Sequence, residues 1–408
     1  MTDQSVSLNL RSGPTYWEMR TPPAALPPGH PLISCDADVA IIGAGITGSL
    51  IAERLSRAGL QIVVIDRHGP QQGSTAASTA IVQWEIDNPM AELEARIGFD
   101  LAARVFRYAY AGVQDLARII DHLGIACDAA WRSSLFLSGD QLDARQLREE
   151  YALRHRAGLP LDFLQRDDLV ARFGIDRPAA LLSRDACDVN PVALARGLLT
   201  AAMARGVQVM SPLKALDYDF SREGVTVQTD RGVTVKARHL VLATGFEMPV
   251  FVPATRHDIV STWALATAPQ PRGVPWPGAG PIWEASDPYL YVRGTADGSI
   301  LCGGEDEAIT DAKKRDALLP AKTARLMEKL RQLLPGVELD IATAWSGFFG
   351  ISDDGLPLIG RVPACANCYA AYGYGGNGIT FSVLAADMVA SYIAGQRHWA
   401  EELFAVDR

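Results

Sequence analysis

The chain has 408 residues, 48% hydrophobic and 21% charged, with 38 basic against 47 acidic side chains and a net charge of −9. That length exceeds one ordinary core and points to two domains, while the acidic balance argues against nucleic acid or an anionic membrane surface as the main partner. No apolar run reaches the roughly 20 residues that span a bilayer, the polar, proline-rich start has no secretory hydrophobic region, and six scattered cysteines make no disulfide framework, so the expected setting is cytoplasmic.

Residues 1–34 carry six prolines and no sustained periodicity, which predicts an arm lying across the body, anchored by Tyr16 and Trp17. From Asp38 to Arg67 the sequence reads as a buried strand, a glycine turn, a helix stopped by Gly59 and a second apolar strand ending on Asp66. Strand, G-x-G-x-x-G, helix, strand and terminal acid form the dinucleotide fingerprint. Gly43 permits the turn, Gly45 lets the backbone approach a pyrophosphate at the positive helix end, and Gly48 lets helix and strand pack closely. Asp66 is expected to accept hydrogen bonds from the adenosine ribose.

A loop of small and hydroxyl residues, Gly73 to Thr79, follows. Apolar spacing near 3.6 predicts mostly helix over 89–123, then a short strand at 134–137 and a charged helix at 142–156. Asn190-Pro191 caps a helix over 192–205. Short strands are predicted at 207–210, 214–220, 225–229, 233–236 and 239–243, the last running into Ala243-Thr244-Gly245. Further strands are expected at 259–266, 289–293 and 299–303, and a long helix over 316–334. A strand at 369–372 then meets a glycine cluster and a helix over 379–393, whose N-terminal amides carry partial positive charge suited to an anionic reduced flavin.

GAGITG, the GSTAAST loop, the ATG strand end, WSGFFGISDDGLPLIGR and GYGGNGIT together resemble the FAD-dependent oxidoreductases of the D-amino-acid oxidase, glycine oxidase and sarcosine oxidase superfamily. The look is nearest to γ-glutamylputrescine oxidoreductase-like members. The resemblance implies an α/β fold: a Rossmann-like FAD-binding domain interleaved with an α+β substrate domain built on a mixed or antiparallel sheet. The expected division is an arm at 1–34, FAD-binding segments 35–90, 179–250 and 340–408, and substrate segments 91–178 and 251–339. The implied reaction is hydride transfer from a C–N bond of a small amine or amino acid to flavin, giving an imine that hydrolyses.

Carried over by resemblance, the cofactor residues are Gly43, Gly45, Ile46, Thr47, Gly48, Asp66, Arg67, Ser74, Thr75, Ser78, Thr79, Ala80, Lys214, Ala243, Thr244, Gly245, Gly375, Gly376, Asn377, Gly378, Ile379 and Thr380. The Trp345-Ser346-Gly347-Phe348 block has no Cys and the Ser/Thr loop no His, which implies noncovalent FAD. Glycine oxidase-like members place an arginine four residues after that Trp to pair with the substrate carboxylate, the usual bidentate device; Phe349 stands there instead, tilting the reading toward an amine.

Amine oxidation by flavin needs a deprotonated amine held in a dry pocket rather than a catalytic triad. The candidates at the reacting end are Tyr291, Phe349, Trp345, Gln83 and Arg293, the last as a substitute carboxylate partner or a structural sheet arginine. Tyr289 and Trp263 are further aromatic candidates, and Glu85 is a candidate for a second amino group of the substrate or a solvated acid at a helix start. Cys365-x-x-Cys368 has zinc or redox spacing but no second ligand pair, and the seven histidines show no ligating pattern, so no metal is expected. The other readings are an FAD-dependent 2-hydroxy-acid oxidoreductase, a flavoprotein electron-relay subunit without turnover of its own, and, more remotely, an NAD(P)-dependent dehydrogenase. Oligomer or complex membership stays open.

Overall fold

The computed structural model describes residues 9–20, 30–69, 72–253, 255–363 and 365–408. Two sheets organise these residues. In the first, the strands run Leu358–Arg361, Cys368–Tyr372, Thr234–Leu242, Cys35–Ile42, Ile62–Ile65 and Gln208–Met210. All neighbours are parallel except Leu358–Arg361, which runs antiparallel to Cys368–Tyr372. Covered on both faces, the central strands read as unbroken apolar runs. Val39, Ile41, Val64 and Val241 face the helices Ile46–Ser56, Pro191–Ala204 and Gly378–Ile393. Ala40, Ile42, Val63, Ile65, Leu240 and Leu242 face an antiparallel meander built on Ala215–Phe220 and Val225–Thr229. Each such valine, leucine or isoleucine contributes about 1.5–3 kcal/mol when fully buried.

The second sheet runs Arg11–Ser12, Ile341–Ser352, His257–Thr267, Ile300–Glu307, Leu290–Gly294, Ile282–Glu284, Ala130–Leu137, Ala179–Asp188 and Ile81–Val82, with Leu161–Gln165 also paired to Ala179–Asp188. Helix Ala312–Leu333 covers its outer face through Leu326, Leu330 and Leu333. The inner face shares a continuous core with the first sheet's helices.

Three readings from sequence change. The segments 35–90, 179–250 and 340–408 do not all belong to the dinucleotide half, because Ile81–Val82, Ala179–Asp188 and Ile341–Ser352 pair within the second sheet. Strand identity follows from the partner, which linear periodicity does not reveal. Residues 233–236 and 239–243 are one strand, Thr234–Leu242, in which Lys236 and Arg238 point alternately to solvent. Helix 89–123 is broken at Gly98 (φ 79°) into Met90–Ile97 and Phe99–Leu123.

The described part of the arm joins the body. Arg11–Ser12 adds an edge strand beside Gly347 and Ser346, and Tyr16 and Trp17 are buried in the short helix Tyr16–Arg20. The expected arm over 1–8 and 21–29 lies outside the described residues.

Candidate active site

A continuous cleft opens where the first sheet's strands end and reaches the inner face of the second. At its near end, Gly43 has φ 107°, and a Cβ there would stand 2.3 Å from the Ala243 carbonyl oxygen. A Cβ on Gly48 would stand 1.9 Å from the Gly43 carbonyl oxygen, so this glycine serves helix–strand packing and does not itself line the cleft. Gly45 stands at the N-terminus of helix Ile46–Ser56 without a side-chain cap, and this helix end lines the cleft. Such an end attracts anionic phosphate through oriented N–H groups and the helix dipole. Thr75 Oγ1 accepts from Ile46 N at 3.0 Å, tying the hydroxyl loop to the turn.

Asp66 braces this end from below. One carboxylate oxygen accepts from Ala44 N at 2.8 Å, and the other from His68 N at 3.0 Å and Gly69 N at 2.8 Å. Arg67 is ion-paired with Glu247. Lys214 lines the same end, its backbone N–H donating to Asp230 at 3.0 Å. Ala243, Thr244 and Gly245 close the rim.

The Ser/Thr loop is a short helix, Ser74–Ala77, followed by Ala80 at φ 57°. Two indoles pin it: Trp345 Nε1 donates to the Ala77 carbonyl at 2.9 Å and Trp17 Nε1 to the Ser78 carbonyl at 2.6 Å. Trp345 therefore lines the cleft with its polar atom already committed. Ile46, Thr47, Ser74, Ser78 and Thr79 complete this middle stretch.

The far end is laced by side-chain-to-backbone bonds. Asn377 accepts from Asp87 N at 3.0 Å and donates to the Glu85 carbonyl at 2.8 Å, while Thr380 Oγ1 donates to the Gln83 carbonyl at 2.8 Å. Asn377, Gly375, Gly376, Gly378 and Ile379 line the cleft; Thr380, behind them, does not and acts as a tie. The second sheet presents Thr262, Ala264, Tyr291, Gly347, Phe348 and Phe349 to the cleft, with Tyr289 just before its strand; Thr262 and Ala264 follow the two-residue alternation of a pleated strand. Gly303 makes room, since a Cβ there would lie 2.2 Å from the Tyr291 hydroxyl. Gln83 lines this end, accepting from Ser134 Oγ at 3.3 Å.

Three expectations are corrected. Arg293 is buried away from the cleft, paired with Asp188 at 3.1 Å, and offers no hand to a substrate carboxylate. Glu85 is neither solvated nor at the site: it is fully buried and paired with Arg154 at 2.8 Å, and burial raises its pKa. Arg154 also holds Glu150 at 2.6 Å, whose carboxylate accepts from Met90 N and Ala91 N at the start of helix Met90–Ile97. Trp263 is buried, donating to the Arg315 carbonyl at 3.2 Å. Cys365 and Cys368 are buried free thiols away from the cleft, and burial raises both pKa values. Among the described residues no His, Cys, Asp and Glu group is placed to hold a metal, and no helix is long and apolar enough to cross a membrane.

The acid overlooked from sequence is Asp87. Its side chain is exposed toward the cleft, yet surrounding protein pushes its pKa up to about 6, opposed by the Gly376 N–H donated at 2.6 Å. Asp306, behind Tyr289, is likewise pushed up to about 6, first by burial, with Thr262 and Tyr289 hydrogen bonds acting the other way. Glu85 and Asp87 stand two residues apart in QWEID, so nothing in the sequence separates the core acid from the cleft acid.

The comparisons agree with this architecture. Residues 38–392 match the family model described as FAD dependent oxidoreductase. A protein named probable oxidoreductase OrdL, from Rhizobium meliloti, is 24% identical over 88% of this chain and 83% of its own length. Among solved structures, glycine oxidase from Geobacillus kaustophilus superposes with TM-score 0.74 at 18% identity, covering 91% of this chain and 99% of that one. L-amino acid deaminase from Proteus vulgaris gives TM-score 0.76 at 14% identity, covering 94% and 99%. The glycine cradle, where an added Cβ would strike backbone oxygens, the helix end at the cleft and the braced Asp66 fit an FAD dinucleotide. The chain belongs to the FAD-dependent oxidoreductase family of the D-amino-acid oxidase type.

Proposed function

We propose that this FAD-dependent oxidoreductase oxidises a C–N bond of a small amine or amino acid, with the amine preferred, and that the cofactor is bound noncovalently. The observation that supports the reading is the cleft itself: one channel joins the dinucleotide turn to an aromatic wall of Tyr289, Tyr291 and Phe349, with Gln83 as a polar neighbour. When bound, FAD would supply the two-electron acceptor for the hydride leaving the substrate carbon, while the amine nitrogen's lone pair forms the C=N bond and water hydrolyses the resulting imine to a carbonyl product and an amine. The chain's own contribution is placement. Gly43, Gly45, Ile46, Thr47, Ser74, Thr75, Ser78 and Thr79 would hold the pyrophosphate and neighbouring groups, Asp66, Arg67 and Lys214 the adenosine end, and Gly375 to Ile379 the flavin end. The aromatic wall would exclude water and orient the amine.

None of the six cysteines lines the cleft, which supports noncovalent binding. A 2-hydroxy acid is the weaker substrate class, because its carboxylate would want an arginine at the aromatic end, and Arg293 is committed elsewhere.

The test is anaerobic bleaching of the purified yellow protein with amines, D- and L-amino acids and 2-hydroxy acids. Bleaching by an amine or amino acid is expected, with FAD released into the supernatant on acid precipitation. Bleaching by hydroxy acids alone would overturn the reading.

A further inference from the structure

The charged side chains lining the cleft divide sharply by position. Asp66, Arg67, His68, Lys214 and Glu247 all gather at the dinucleotide end, around the turn that follows strand Ile62–Ile65. At the aromatic end, among the described residues lining the cleft, Asp87 is the one charged group. We propose that Asp87 binds a second, non-reacting ammonium group of the substrate, so that this site selects diamine-type substrates over amines bearing a carboxylate. This rests on the proposed C–N oxidation and narrows its substrate class.

The local geometry is built around that carboxylate. Gly376 N donates to it at 2.6 Å, and a Cβ on Gly375 would stand 2.2 Å from the same oxygen, so the glycine pair clears the space it fills. Among the described residues no cation is ion-paired with it: desolvation by the surrounding protein raises its pKa and the Gly376 N–H opposes that. The groups facing it from neighbouring elements are Tyr289, whose own ionisation it disfavours, and Asp306, whose pKa it helps to raise. Lys322 tempers Asp306 from behind, but is engaged by Glu305 at 3.3 Å and Glu307 at 2.6 Å. One Asp306 carboxylate oxygen is buried with no hydrogen-bond partner. Asp87 is exposed toward the cleft, so a cation entering there reaches it directly, and an opposite charge at contact distance favours its ionised form.

The walls suit the same ligand. Tyr289 and Tyr291 line the cleft with ring centroids 6.0 Å apart, and aromatic faces attract an alkylammonium group. The reacting nitrogen must be neutral for its lone pair to form the C=N bond, whereas a carboxylate favours the protonated form. Asp87 therefore serves the amino group that does not react. A substrate carboxylate at this end would meet Asp87 with no cation to offset the repulsion.

The test compares 1,4-diaminobutane, butylamine and 4-aminobutanoate with the FAD-loaded wild type, D87N and D87E, each first checked for flavin absorbance and melting temperature. In the wild type, kcat/KM should favour the diamine over butylamine by about tenfold or more, the scale of one charge-assisted contact, with 4-aminobutanoate poorest. D87N should collapse that ratio mainly through a higher KM for the diamine, and D87E should restore part of it. The wild-type KM for the diamine should also rise as pH falls below about 6. Amines that bleach the flavin with no diamine preference, or a preference that survives D87N, would overturn the assignment and leave the proposed function standing. Bleaching by none of the three amines, with hydroxy acids active, would remove both.

Discussion

The two ends of the cleft recognise ligands by different means. The dinucleotide end is organised by the backbone of one run of chain, a glycine turn and a helix N-terminus, with Asp66 tying the turn to the following loop through the Ala44, His68 and Gly69 amides and with Lys214 and Ala243 to Gly245 added at the rim. The aromatic end is made of side chains from distant segments, with Gln83 and Asp87 from one, Thr262 and Tyr291 from two strands, and Phe349 from another. Backbone recognition is set by steric rules that leave glycines at fixed spacing. Side-chain recognition is set by which strands happen to pair, and it can be retuned without touching the first end.

That contrast predicts where damage is total and where it is graded. The largest effect is expected for G48A, because the added methyl would meet the Gly43 carbonyl oxygen at 1.9 Å and both partners are backbone. Purified G48A should be colourless or insoluble, read from flavin absorbance at equal protein concentration. A yellow, stable G48A would show that helix and turn are less tightly coupled than the contact implies.

An intermediate effect is expected beneath the aromatic end. R154L leaves Glu85 and Glu150 as buried carboxylates without their cation, and breaking a buried pair from one side costs about 3–5 kcal/mol. Urea unfolding should show that loss, and E85Q/R154L should recover part of it. A loss below about 1 kcal/mol would mean that solvent reaches the pair.

The smallest effect separates the cleft acid from the core acid. Asp87 has its pKa raised from 3.8 to about 6 in the folded protein. For a raised carboxyl, the linked stability is present below the unfolded value and is lost as pH rises through the folded one. D87N holoenzyme without substrate should therefore melt above the wild type at pH 8, and the difference should vanish below about pH 4. An unchanged difference across that range would mean that Asp87 is freely solvated and would weaken its reading as an uncompensated charge.

Much of the molecule was legible in one dimension. Asp38 to Arg67 carries its own explanation, since two apolar strands, three spaced glycines and a terminal acid admit few other structures. The Asn190 cap, which accepts from Ala193 N at 3.1 Å, and Pro191 at the first turn were equally readable. So was the glycine cluster before helix Gly378–Ile393. Local chemistry determined these: turn sterics, orphan amides at helix ends and unbroken burial.

The tertiary structure alone decided the rest. Ile341–Ser352 reads as a closing block in sequence, yet it joins the second sheet because its register beside His257–Thr267 puts Trp345, Gly347 and Phe349 on the cleft side. Arg293 and Glu85, both plausible ligands by type, were claimed by Asp188 and Arg154 from distant elements. Asp87, two residues from Glu85, was left facing the cleft with a backbone amide as its hydrogen-bond donor. A sequence determines which groups are available; which are spent on one another follows from long-range packing, because an ion pair forms only between side chains that the folded backbone brings within a few ångströms.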